Sequence, residues 1–247
     1  MHIVYKQRQE DILMKELISS KLVSEEILLD IRKFYDRNPY HNFVHALRVA
    51  KWALMLSLNK HTIIEIKSIL YAALFHDALH TWTARVLDEF YSLTLAQNKI
   101  SEYQEKYNLQ WIDYWILRKW IIWTVFKNRW ILNNKYSRIV ADLDVGVIWE
   151  DIYTFMYFSI PLALEFWDSM HKFFKTTNIW YFKFLMWMNK NIIISEEVRE
   201  IYPNSLKVIK DFIKLDMKIK EEMYYCIMNK DITLNEFKDK FKDKVDG

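Results

Sequence analysis

Two glycines and three prolines in 247 residues leave this chain almost no turn punctuation. Tight hairpins draw on Gly and Asn at positive φ, and phosphate-cradling loops are glycine-rich, so both are nearly excluded. Hydrophobic residues make up 52% of the chain, with 11 Trp, 15 Tyr and 15 Phe. Disorder requires the opposite balance, low hydrophobicity with high net charge. A long apolar chain with so few breakers reads as all-α. The length suffices to bury a substantial core. No Gly-, Pro- or Ser-rich linker and no repeat period interrupts it. The simplest organisation is one helical domain over 1–247, with a core of about 24–175 and appended C-terminal helices from about 195 to 247.

Apolar spacing predicts the elements. Leu22, Val23, Ile27, Leu28, Ile31 and Phe34 recur at helical intervals, and Ser24 marks a helix start. Asp36-Arg37-Asn38-Pro39 is a breaker. A helix is expected from about 42 to 58, and another from about 62 to 77 with Thr62 as N-cap. The latter is apolar on nearly every face (Ile63, Ile64, Ile66, Ile69, Leu70, Phe75), which marks a central helix. Residues 81–107 read as a polar-faced segment, partly loop. Further helices are expected over 111–126, 136–149 and 152–174, and two or three amphipathic ones in the tail, the last carrying Leu234, Phe237, Phe241 and Val245. Trp115, Trp120 and Trp123 read as core residues rather than as platforms for bases.

The net charge of +3 makes no case for nucleic acid as an obligate partner. One cysteine, Cys226, excludes an internal disulfide and fits a reducing, cytoplasmic compartment. The N-terminus lacks the apolar region of a signal peptide. The greasiest stretch, 146–167, is broken by Glu150, Asp151, Pro161 and Glu165, so it is expected to be buried helix rather than a membrane span.

Five of the 7 histidines fall between positions 41 and 80: His41, His45, His61, His76 and His80. A lone helical histidine usually satisfies a core hydrogen bond or a helix end, and His2, His61 and His171 are read that way. The others form a pattern. His41 and His45 are one helical turn apart, and if both are helical they share a face. His76 and Asp77 close the central helix and can embrace one ion near its end, with His80 a turn beyond. A further carboxylate comes from Asp142 or Asp144, which point roughly 200° apart on a helix. The neighbours Val140, Ala141, Val147 and Ile148 give Asp144 the apolar face and favour it, with Asp142 the alternative. Imidazole with carboxylate is a donor set for a divalent transition metal: Mn, Fe, Co, Ni or Zn, with Mg as an optional companion.

The order His, then His-Asp, then a distant Asp on successive helices resembles the HD superfamily of metal-dependent phosphohydrolases, over roughly residues 35–150. Tyr40-His41-Asn42-Phe43-Val44-His45 looks like the Tyr-His-Asn-x-x-His motif of a bacterial branch and of class I cyclic-nucleotide phosphodiesterases. His76-Asp77-Ala78-Leu79-His80 is similar to the His-Asp-x-x-His run of the phosphodiesterases. Asp88-Glu89-Phe90-Tyr91-Ser92 looks like the Asn-Glu-x-x-Ser element of the bacterial branch, and Asp142-Leu143-Asp144-Val145 its Asp-x-Asp-apolar element. Two departures stand out. Phe126 occupies the His place of a Thr-x-His element, and Thr81-Trp82 stand where the phosphodiesterases have Pro-Gly.

The resemblance implies an all-α HD-type bundle in which His45, His76, Asp77 and Asp144 (or Asp142) hold an ion that activates water. It implies His41 as general acid, Asp77 as ligand and catalytic carboxylate, and Glu89 as the group orienting water or a ligand histidine. His80 and Arg48 are the substrate-side candidates: His80 stands behind the ligands or near a second ion, and Arg48 either steadies a phosphate or is a solvated helix residue. Lys51, Arg85, Lys127 and Arg129 are weaker phosphate candidates. The expected activity is hydrolysis of a phosphate ester in a nucleotide or related small molecule. The alternatives are a cyclic-nucleotide phosphodiesterase and a non-catalytic nucleotide-binding domain, the latter on account of Phe126. The amphipathic tail suits either a lid or a homodimer face, and no membrane partner is expected.

Overall fold

The computed structural model describes residues 4–35, 38–80, 87–124, 142–144, 146, 150–166, 198, 200 and 205–246. Among them the chain is all-helical, without strand. Contacts divide it into two compact units, Glu10–Asp144 and Met1–Gln9 with Val145–Gly247.

The first unit holds α1 (Gln7–Ser19) from Glu10 onward, α2 (Glu25–Arg32), α3 (Phe43–Ser57), α4 (Ile63–Phe75), α5 (Asp88–Lys106) and α6 (Tyr114–Ile122). Local chemistry sets the starts. Ser24 accepts from the Ile27 backbone N–H, and Asn42 from those of Val44 and His45. Thr62 and Glu65 complete a reciprocal capping box. Asp113 caps α6. With so few glycines, left-handed turns fall to other residues: Lys21 at φ 62°, between α1 and α2, and Asn108 at φ 50°, just past α5.

α4 is the axis of this unit and packs on α3, α5 and α6. Leu70, Tyr71, Ala72, Ala73, Leu74 and Phe75 have no exposed surface. Burying each large side chain in that run contributes about 1.5–3 kcal/mol, so the end of α4 is held firmly. The predicted central helix is therefore present, but it stops at Phe75 and leaves His76 as its C-cap.

One expectation is refined and one corrected. Within 81–107, read as a polar-faced segment and partly loop, Asp88–Lys106 form α5, a 19-residue helix. Its face of Leu93, Ala96, Ile100 and Tyr103 recurs every three to four residues and is buried, and this outweighs the polar residues between. Trp115 is not a core residue. It is 60% exposed with the Lys119 ammonium over its ring, whereas Trp120 is buried. Five residues separate the two, which puts them on different faces.

The second unit holds α7 (Ile152–Phe166), which packs on α8 (Ser205–Lys214), α9 (Met217–Asn229) and α10 (Leu234–Asp246). Phe155, Tyr157, Phe212, Phe237 and Phe241 fill its interior. The N-terminal residues clasp the tail: the Lys6 ammonium donates to the Ile227 and Lys230 carbonyls at 2.6 Å, and Arg8 pairs with Glu236. No helix of the described residues is long and apolar enough to cross a membrane. The rest of the predicted 136–149 and 152–174 helices lies outside the described residues, as do His2, Thr81-Trp82, Arg85, Phe126, Lys127, Arg129 and His171.

Candidate metal centre

Four side chains from three places in the Glu10–Asp144 unit converge on one buried point. His45 rises from the first turn of α3, His76 and Asp77 leave the end of α4, and Asp144 comes from the short helical turn 142–144. Their ligand atoms all lie within 4.8 Å of one another. His45 Nε2 is 3.1 Å from Asp144 Oδ1, 3.6 Å from Asp77 Oδ2 and 3.3 Å from His76 Nε2. His76 Nε2 is 3.0 Å from Asp77 Oδ2 and 3.7 Å from Asp144 Oδ1.

These separations fit a single ion. At a metal–ligand distance of about 2.1 Å, neighbouring donors sit roughly 3.0 Å apart in an octahedron and roughly 3.4 Å apart in a tetrahedron. The tautomer of His76 agrees. Its Nδ1 lies 2.7 Å from the Ala73 carbonyl, which only an N–H can meet, so Nε2 is the nitrogen that faces the centre and can give its lone pair to an ion once its own proton leaves. Two imidazoles and two carboxylates aimed at one buried point need a cation or a proton between them. The two Asp charges also balance a divalent ion. The donor set is thus chemically suited to Mn, Fe, Co, Ni or Zn.

Protons compete for the same point. Burial opposes charge on His76, yet Asp77 and Asp144 outweigh it and raise its pKa well above the ordinary value. Burial likewise opposes the Asp77 and Asp144 anions, but His76 for the one and His45 with His76 for the other hold both below the usual carboxylate range. For His45 burial wins, and its pKa falls. A proton shared among these groups is therefore the ion's competitor.

The structure takes Asp144 into the cluster and leaves Asp142 outside it. The reason is not the one the sequence offered, since Asp142 is the more deeply buried, at 2% exposure. Asp144 is instead carried to the site by its backbone. The Tyr40 hydroxyl donates to the Asp144 carbonyl, and Arg48 Nη1 to the Leu143 carbonyl. Arg48 itself is buried, at 3% exposure.

His41 is not helical. It precedes the N-cap Asn42, so its relation to His45 is not one of turn to turn. Its ring stacks on His80 at 4.0 Å and stands 6.0 Å from the His45 ring. His80 Nδ1 lies 3.6 Å from Asp88 Oδ2. Glu89, in the first turn of α5, feels the charges of Asp77, Asp88 and Asp144. Its Oε2 is buried without a hydrogen-bond partner among the described residues. Burial chiefly, with those neighbouring carboxylates, lifts its pKa to about 7. Lys51 pairs with Glu16 at 2.7 Å. Sequence reasoning gave no role to Ser92, whose buried hydroxyl accepts from the Leu79 backbone N–H and braces the 76–80 turn. Its only signal was its place in the Asp88–Ser92 run.

What fold and site define together is an all-helical protein, among the described residues, with a cluster of two buried histidines and two half-buried aspartates able to hold a metal ion. No protein-family model matches the chain, and a search of curated proteins finds no match.

Proposed function

We propose that the protein is a metal-dependent phosphohydrolase acting on a phosphate ester of a nucleotide or related small molecule. The observation that carries this reading is the convergence of His45, His76, Asp77 and Asp144. The resemblance of the surrounding motifs to HD phosphohydrolases supports it. A divalent ion held by these four would supply a water of lowered pKa as nucleophile and a positive charge for a phosphate oxygen.

The chain's own residues do the rest. Asp77 and Asp144 enter as anions and fix the charge of the site. His76 keeps its proton on Nδ1, against Ala73, and leaves Nε2 as a donor atom. His41, partly exposed at the rim, holds a proton on its ring for the leaving oxygen. The His80 imidazole stacked against it, with Asp88 behind, limits the rotamers His41 can take. Glu89, beside Asp77 and Asp144 at the start of α5, orients water or substrate through its carboxyl. A cyclic-nucleotide phosphodiesterase is the second reading. It is favoured by the same stack, which joins the two histidines that mark the phosphodiesterase-like motifs.

The test is phosphate release from nucleoside mono-, di- and triphosphates, and ring opening of cyclic nucleotides, by protein loaded with Mn, Co or Ni. Turnover of any of these, lost in Asp77→Ala and reduced about 10²–10⁴-fold in His41→Gln, supports hydrolysis. Tight nucleotide binding with no turnover under every metal would replace it with a binding domain.

A further inference from the structure

α4 ends where the His76–Asp77 pair begins, and a helix end leaves its last carbonyls without partners inside the helix. When such an end is buried, those carbonyls need donors from elsewhere. Three can be traced. The Ala73 carbonyl accepts from His76 Nδ1 at 2.7 Å, and the Phe75 carbonyl from the Ala78 backbone N–H at 3.1 Å. The Leu74 carbonyl accepts from the Tyr35 hydroxyl at 2.7 Å. The first two donors belong to the segment they stabilise. Tyr35 alone of the three comes from another part of the chain, just past α2.

The same side chain touches a second ligand-bearing helix. Its ring packs on Phe43, the first residue of α3, with centroids 5.6 Å apart, and α3 carries His45 two residues on. Tyr35 is buried throughout.

We propose that Tyr35 is a positioning residue for the metal centre, fixing the end of α4 against the start of α3 so that His76, Asp77 and His45 meet. This rests on the metal-site reading above and extends it to a residue that touches no ligand atom. The role is separable from plain stability because the second unit contains a matched bond: the buried Tyr157 hydroxyl donates to the Ile232 carbonyl, also at 2.7 Å.

The experiment compares Tyr35→Phe, Tyr157→Phe and the unaltered chain. Two quantities are read: Co(II) affinity by chelator competition, with its visible spectrum, and amide hydrogen exchange at Ala78, Leu79 and His80. Both variants are expected to lose comparable thermal stability. Only Tyr35→Phe should weaken Co(II) by roughly tenfold or more, alter the Co(II) spectrum and speed exchange at the three amides. Equal affinity in the two variants overturns the proposal, as does unchanged protection at 78–80. If the unaltered chain binds no Co(II), the metal reading falls by itself, and exchange at 78–80 alone decides for or against Tyr35. Should Tyr35→Phe not fold, Phe43→Leu loosens the ring's seat while keeping the hydroxyl and is read by the same two quantities.

Discussion

Replacing Glu89 by Gln should change the pH dependence of stability in one window and leave it alone elsewhere. The carboxyl titrates near 4.5 in an unfolded chain and at about 7 in the fold. Between those values the folded state holds a proton that the unfolded state has lost, so stability falls as pH rises through the window. Below 4.5 the carboxyl contributes its full share, and above about 7 that share is gone. One pH unit corresponds to about 1.4 kcal/mol, so the interval sets a ceiling of about 3 kcal/mol. The side chain is only partly buried, and solvent screening lowers the expectation to about 1–2 kcal/mol. Glutamine does not titrate and fills the same space. In metal-free protein, urea midpoints of the two forms should nearly coincide at pH 4.5, and Glu89→Gln should be the more stable by about 1–2 kcal/mol at pH 8. A divalent ion in the cluster adds positive charge nearby and should move the window to lower pH. A difference between the two proteins that stays constant from pH 4.5 to 8 refutes the reasoning, because it would mean Glu89 titrates alike in both states.

Three further outcomes follow from other features. Thr62→Ala removes one half of the capping box and should cost about 1 kcal/mol in chemical denaturation, with Thr62→Ser restoring most of it. Lys21→Gly should stabilise by about 0.5–1 kcal/mol, since φ 62° suits glycine better; a loss of stability would show that the lysine side chain matters more than the backbone. Metal binding should release protons, because His76 is held protonated to higher pH than an ordinary imidazole. Calorimetry at pH 7 in buffers of different ionisation enthalpy should therefore give different apparent heats, and identical heats would contradict the proton–metal competition.

Helix starts were the most legible part of this fold, because they are written in a few adjacent residues. Ser24 and Thr62 cap the helices that follow them, as their side-chain chemistry predicts. The central helix was equally plain, since residues apolar on every face have nowhere to go but the core. Polar density hid α5, whose narrow buried stripe has only four apolar residues, Leu93, Ala96, Ile100 and Tyr103, to anchor it. Trp115 misled because tryptophan is a good core residue wherever the helix faces inward, and facing depends on phase, not identity.

At the site, the residue types and their order carried His45, His76, Asp77 and Asp144. The contacts that aim them did not show in the pattern. Tyr40 and Arg48 reach the backbone around Asp144 across about a hundred positions of chain, and Ser92 reaches Leu79 from a different helix. Such contacts join residues by tertiary packing, so no local spacing announces them. Arg48 is a case in point: its spacing from His45 is plain in the sequence, but its bond to the Leu143 carbonyl is not.

Elemental analysis of the purified chain beside Asp77→Ala decides whether His45, His76, Asp77 and Asp144 form a metal site. About one equivalent of Mn, Fe, Co, Ni or Zn per chain is expected, lost in the variant while helical content is kept. No metal in either protein, even after incubation with Mn or Ni, would contradict it.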